Sequence, residues 1–171
     1  MKKTFTVLAL LLISTLTFAA KPLKVKSGDL SFKQEAVLAR LVMDYSNATW
    51  EGRQSYEEFC GEDYGSRVQQ SALAVMTGFN SFNPALKIAL DEDAETKYTI
   101  TVRLTELERK MWDIASFYIR VQGTISVVNN ETGEEVCSIE MKKLSGNASY
   151  VPDTRLFSCF QELGLTLAKL R

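Results

Sequence analysis

Three runs of alternating apolar and polar positions dominate the middle of the chain. Tyr98, Ile100, Val102 and Leu104 share one parity. Ala115, Phe117, Ile119, Val121, Ile125 and Val127 share the next, and Cys137, Ile139 and Met141 the third. Successive side chains of an extended chain point to opposite faces, so each run predicts a strand with one apolar and one polar side. Asn129 to Glu134, with Thr132-Gly133 inside it, reads as a hairpin turn. Glu106 to Asp113 carries mixed charges with Met111 and Trp112, and fits either a long hairpin loop or strand ends projecting past the sheet.

The same period appears twice upstream. Leu23 and Val25 alternate with Lys24 and Lys26 up to Ser27-Gly28-Asp29, which predicts an edge strand with lysines guarding its outer side. Val37, Ala39, Leu41, Met43 and Tyr45 alternate with Arg40 and Asp44. A helix over 35–43 suits the alanine and leucine content, but the β-branched and aromatic residues favour a strand. Leu86, Ile88 and Leu90 alternate too, where a strand and a short helix opening at Pro84 both fit.

Helical period flanks these runs. Ser55 stands three residues before Glu58, the spacing of a capping box, and Tyr56, Phe59 and Cys60 give the following turn an apolar side. Gly61 and Gly65 predict a stop. Ser66 and Gln69 repeat the cap spacing ahead of Val68, Ala72, Val75, Met76 and Phe79, with Gly78 and Asn80 as the expected end. A second helix is expected to open at Pro152 with Asp153 as its cap, carrying the stripe Leu156, Phe160, Leu163, Leu167 and Leu170. Gly164 beside that stripe is placed to let the helix approach the sheet. The expected fold is therefore α+β: one mostly antiparallel twisted sheet covered by two main helices.

The first residues belong to none of this. Lys2 and Lys3, an apolar run from Val7 to Leu12 and small residues at Thr17, Ala19 and Ala20 form the pattern of a secretory signal peptide over 1–19. The run is shorter than the ~20 apolar residues of a spanning helix. Residues 20–171 remain as a single α+β domain. No cysteine follows the apolar run, so no lipid anchor is expected, and the chain is placed in the periplasm or outside the cell. Lys and Arg number 20 against 21 Asp and Glu, a net charge of −1, which becomes −3 once Lys2 and Lys3 leave. The basic residues are dispersed, which speaks against nucleic acid.

Candidate chemistry is sparse. Histidine is absent, so the usual base of a nucleophilic triad is missing, along with zinc sites that need imidazole. No glycine-rich phosphate loop occurs. Cys60, Cys137 and Cys159 read as small buried hydrophobes or, in an oxidising compartment, as a disulfide with one thiol left over. Cys137 and Cys159 are then the pair expected to lie close. The acidic groups Glu57, Glu58, Glu62 and Asp63, and Asp91, Glu92 and Asp93, read as solvated faces. They lack the spaced oxygen ligands of a calcium loop. No catalytic, metal or cofactor site is expected. Trp50 and Trp112, both in expected loops among polar neighbours, are the candidate partner-binding residues.

Short landmarks along the chain carry a resemblance. They are Lys26-Ser27-Gly28-Asp29-Leu30, Met43-Asp44-Tyr45-Ser46, Phe82-Asn83, Lys97-Tyr98-Thr99-Ile100, Val121-Gln122-Gly123-Thr124-Ile125, Thr132-Gly133-Glu134 and the closing segment Leu163 to Lys169. Together they resemble an uncharacterised secreted protein family of Bacteroides-type bacteria. In element order the chain is also similar to the α/β domains of penicillin-binding-protein activator lipoproteins and the curli secretion protein, without their lipid-anchoring cysteine. That resemblance implies partner binding without catalysis. The expected function is thus a secreted or periplasmic non-enzymatic domain acting by protein–protein interaction with an envelope protein. The alternative is a carboxylate-dependent hydrolase acting on envelope or host glycans.

Overall fold

The computed structural model describes residues 21–82, 85–91, 93–111, 116–148 and 151–171. The proposed signal peptide, Trp112 and Ala115 lie outside them. Eight strands form one mixed, mostly antiparallel sheet: β1 (Leu23–Gly28), β2 (Leu38–Asp44), β3 (Thr49–Trp50), β4 (Gln54–Ser55), β5 (Lys87–Ala89), β6 (Tyr98–Met111), β7 (Phe117–Asn129) and β8 (Glu135–Ser145). The helices are α1 (Tyr56–Cys60), α2 (Tyr64–Phe82) and α3 (Pro152–Lys169). The main path runs β1-β8-β7-β6-β2-β5. The pairs β1–β8, β8–β7 and β7–β6 are antiparallel, and β2 is parallel to both β6 and β5. The expected α+β architecture is the one observed, and residues 86–90 hold a short strand.

The apolar parity forecast for the central strands is the buried one. Ile100, Val102, Leu104, Val121, Ile125, Val127, Cys137 and Ile139 are fully buried against α2 and α3, which present Val75, Phe79, Phe160, Leu163 and Leu167. The other face carries Thr99, Thr101, Arg103, Thr124, Ser126 and Glu140, a polar surface, half-buried to exposed among the described residues. Residues 106–111 of the segment between the first two runs prove to be strand ends: β6 and β7 stay paired out to Met111 opposite Phe117.

Three helix details differ from expectation. α2 begins at Tyr64, so Gly65 and Ser66 lie inside its first turn, and it continues past Gly78 and Asn80 to Phe82. Asn80 instead clamps β5, donating from Nδ2 to the Ile88 carbonyl (2.9 Å) and accepting from the Ile88 amide (2.8 Å). Gly78 and Gly164 are contact points between the helices, since a Cβ on either would lie 2.1 Å from a backbone oxygen of the other helix. Gly164 therefore admits α2, and the sheet does not come that close. Lastly, Val151 occupies the cap position of α3 with Pro152 in the first turn, and Asp153 sits within that turn, where its charge favours the helix dipole.

The cysteines are free. Cys137 does lie on the helix-covered face, but α3 crosses β8 with Cys159 at the far end, its Sγ 3.8 Å from the Leu144 carbonyl oxygen. From Cys137 to Leu144 the strand rises roughly 20 Å, which no disulfide spans. The expected proximity fails because facing the same way says nothing about position along the strand.

Candidate binding site

A one-residue bulge decides the character of one end of the molecule. Leu104 pairs with Gly123 and Glu106 with Gln122, leaving Thr105 as the extra residue. Before it, even-numbered residues of β6 face the helices; after it, Leu107, Arg109 and Met111 do. Directly opposed residues share a face, and Arg109 opposes Ile119 while Met111 opposes Phe117. Cover thins along this stretch, from Leu107 at 0% exposure to Met111 at 68%.

The hairpin of β3 and β4 closes part of that end. Trp50 lies in β3, beside Leu107 of β6. The turn after it has positive φ at both Glu51 and Gly52 and is closed by the Arg53 amide donating to the Trp50 carbonyl at 3.1 Å. This primed geometry is the one that tight hairpins favour. The forecast capping box then starts α1: Glu58 N–H donates to Ser55 Oγ and Ser55 N–H to Glu58 Oε2, both at 3.1 Å. Hairpin and capped turn together bring Trp50 and Phe59 into a parallel stack, with ring centroids 4.0 Å apart and planes 8° from parallel.

Aromatic rings continue inward from that stack. Tyr56 lies 6.3 Å from Trp50 and 6.2 Å from Phe59, stacks on Tyr45 at 5.1 Å, and Tyr45 in turn meets Phe160 in the core at 6.4 Å. Trp50 is accordingly half-buried, and Phe59 is exposed at the rim.

Beside these rings is a cavity of about 210 Å³. Trp50, Tyr56 and Phe59 line one side; Arg67 from α2, with Arg155 and Leu156 from α3, line another. Arg109 and Ile119 complete it. Among the described residues, three guanidinium groups and no carboxylate border this small apolar space. Arg109 and Arg155 each hold their guanidinium carbon 5.2 Å from the Phe117 ring centroid, a cation–π distance. The acidic neighbours stand back: Asp63 Oδ2 is 3.7 Å from Arg67 Nη2, and Glu51 Oε1 is 4.0 Å from Arg109 Nε. Arg67 Nε and the Tyr56 hydroxyl oxygen are both buried without a hydrogen-bond partner. Burial raises the Tyr56 phenol and the neighbouring Cys60 thiol above their ordinary values, so both stay neutral at pH 7.

On the polar face of the same strands the carboxylates are engaged. Gln122 Nε2 donates to Glu106 Oε2, and Arg120 and Lys110 hold Glu108 at 3.2 and 2.8 Å. Burial alone would raise the Glu108 carboxyl, but the two cations outweigh it and keep it below its usual range. Elsewhere, Asp93 N–H closes a turn onto Asp91 Oδ1 at 2.9 Å, and Glu92 lies outside the described residues. A shallow open hollow has Glu95 and Glu131 on its rim, both exposed. Among the described residues no group of three His, Cys, Asp or Glu is placed to hold a metal ion, and no helix is long and apolar enough to cross a membrane.

Of the two candidate residues, Trp50 is at the cavity. Trp112 lies outside the described residues; its neighbour Met111 ends β6 two positions beyond Arg109. Sequence reasoning missed Arg67, Arg109 and Arg155. Arg155 stands four residues before buried Cys159, on the flank of the α3 stripe, and that spacing was the available signal.

No family model matches the chain, and no curated protein does. Solved structures with a similar backbone course include the PelC dodecamer of Paraburkholderia phytofirmans. It is 12% identical, with a TM-score of 0.47 over 84% of this chain and 96% of that one. A single-residue variant of PelC matches at 11% identity, with a TM-score of 0.47 over 87% and 98%. A Xanthomonas campestris protein of the DUF330 family matches at 11%, with a TM-score of 0.36 over 80% and 84%.

Proposed function

We propose that this is a secreted or periplasmic, non-enzymatic domain that works by protein–protein contact in the cell envelope, and that the Trp50 end is its contact surface. The observation that carries the reading is the Trp50–Phe59 stack at the rim of a cation-lined cavity, to which β6 contributes Arg109 two positions before exposed Met111. Aromatic and arginine side chains are the residue types that concentrate binding energy at interfaces. Trp112 belongs to the same proposed surface on its sequence position. Among the described residues, the carboxylates beside the cavity, Asp63 and Glu51, face Arg67 and Arg109.

Capture of cross-linked partners from envelope extract, compared between the unmodified protein and Trp50→Ala, tests the proposal. Truncating the ring is expected to weaken capture by about 30-fold, the equivalent of ~2 kcal/mol at an interface anchor. Met111→Ser is the companion variant, since its side chain projects into solvent and leaves the fold intact. Turnover of envelope glycan that a single carboxylate-to-amide change abolishes would replace this reading with the hydrolase.

A further inference from the structure

The two edges of the sheet are finished differently. At the β5 edge, the backbone amide and carbonyl of Ile88 are taken up by the Asn80 side chain, at 2.8 and 2.9 Å. At the other edge, β1 pairs with β8 alone among the described residues. The Pro22 carbonyl accepts from the Lys142 amide at 2.8 Å, which sets the alternation of that ladder. Lys24 therefore bonds to β8, and the N–H and C=O groups of Leu23 and Val25 point outward. Lys26, at the bulge, ends the run. Over the paired residues 22–28 and 137–142 the charged groups are Lys24, Lys26, Lys142 and Glu140, an excess of positive charge. Lys26 and Lys142 share Glu140, at 3.4 and 3.2 Å, and Lys24, directly opposite Glu140, is exposed. The other side of β1 is apolar: Leu23 is buried, Val25 is half-buried, and Leu170 lies along the same hollow.

We infer that the β1 edge takes up an extended segment of a partner protein, added as a further strand, in which acidic residues alternate with apolar ones; the inference rests on removal of residues 1–19 as a signal peptide, after which only Ala20 precedes Lys21. Main-chain groups of such a segment pair with those of Leu23 and Val25. Its acidic side chains come opposite Lys24, on the face that carries Lys26 and Lys142. Its apolar side chains fall beside Leu23 and Val25, on the face toward Leu170. Lysines on an edge strand deter neutral strands, and here they select an acidic one. A second copy of the chain is a poorer occupant: antiparallel pairing centred on Lys24 or on Val25 sets Lys24 opposite Lys24 or Lys26 of that copy, like charge against like. This surface is separate from the Trp50 end, since β8 and β7 lie between β1 and the strand that Trp50 joins, β6.

The test is titration of the exported protein, its N-terminus sequenced, with the peptide acetyl-Ser-Val-Glu-Val-Glu-Val-Ser-amide, read by calorimetry and by amide hydrogen exchange. The peptide is expected to bind saturably, more weakly as salt rises, and to slow exchange at the Leu23 and Val25 amides. Binding should be at least about tenfold weaker for the glutamine counterpart, and for a peptide with Pro at the central Val, which removes a main-chain donor. Lys24→Glu, at an exposed position, should reverse the preference, so that the lysine counterpart binds better than the acidic peptide. No binding, equal affinity for the glutamine or Pro peptide, or an unchanged preference in folded Lys24→Glu overturns the inference. Self-association of the protein alone with those two amides protected overturns it by making a second copy the occupant. Retention of residues 1–19 with the same protection overturns it by making the chain's own leader the occupant. Trp50→Ala should leave peptide affinity unchanged; loss of binding there places the peptide at the Trp50 end and overturns the inference.

Discussion

Asp44 shows how a single side chain on the polar face supports the sheet. Its carboxylate accepts from the Ser46 hydroxyl at 2.6 Å, from Arg103 Nε at 2.8 Å and from the Ser46 amide at 3.0 Å, which brings its pKa down to about 2 from the ordinary 3.8. The folded form thus holds its charge more firmly than the unfolded chain does. The stabilisation is complete above the unfolded value near 4 and disappears as pH falls toward about 2. Because the site is open to solvent, the effect amounts to only about 1 kcal/mol. Urea melts at pH 5 and pH 2 are expected to differ less in Asp44→Asn than in the unmodified protein by that amount. Lys33 does the corresponding work under the covering layer. The residue is buried, and its ammonium donates to the carbonyls of Leu167, Ala168 and Leu170 at 3.0, 3.1 and 2.5 Å, closing the C-terminus of α3 where a cation suits the dipole. Lys33→Met keeps the stem and removes the donors. It should cost about 1.5–3 kcal/mol in the same measurement.

At the scale of elements, the crossing of α2 and α3 depends on two missing side chains. A Cβ at position 164 would sit 2.1 Å from the Val75 carbonyl oxygen and 2.7 Å from the Phe79 nitrogen, both backbone atoms that cannot turn aside. In an isolated helix, replacing Gly by Ala stabilises by about 1 kcal/mol. Here Gly164→Ala should instead destabilise by about 1–3 kcal/mol through overpacking, and a thermal melt reads the sign. A raised midpoint would show that the helices part freely. Such a contact is hard to read in a sequence because Gly78 near the end of an apolar stripe looks like a stop signal; the neighbouring backbone that requires it is more than 80 residues away in the chain. Strand identity was easier. Period two survives tertiary context when one face is covered and the other wet, so Ile100, Ile125 and Ile139 betrayed the sheet. The Ser55–Glu58 box was likewise legible because both of its hydrogen bonds are local. The bulge at Thr105 was not, since one inserted residue inverts the parity and makes a continuous strand look like a charged loop.

That inversion explains why half of the candidate site was hidden at the scale of the whole molecule. Trp50 could be singled out as a large ring among polar neighbours, but its arginines come from α2, α3 and the far end of β6, and only the fold assembles them. The cysteines follow the same logic. Each looks like a small hydrophobe in sequence, and their separation depends on the direction in which α3 crosses β8. Cys137 and Cys159 are wholly buried, and burial pushes the Cys159 thiol up to about 12, so at neutral pH it is neither accessible nor ionised. Cys60 is only partly covered, though burial raises its thiol as well. A thiol reagent added to the native protein at pH 8 should therefore modify Cys60 slowly and leave the other two untouched, because attack requires an exposed thiolate. In denaturant all three should react. The native count follows the packing of α3 across the whole sheet: if that helix lifts off, Cys159 and Cys137 become reactive together with the loss of the melt. A Cys137–Cys159 bond found by peptide mapping of the denatured protein would join residues that this fold holds at opposite ends of β8, and the placement of α3 would then be wrong.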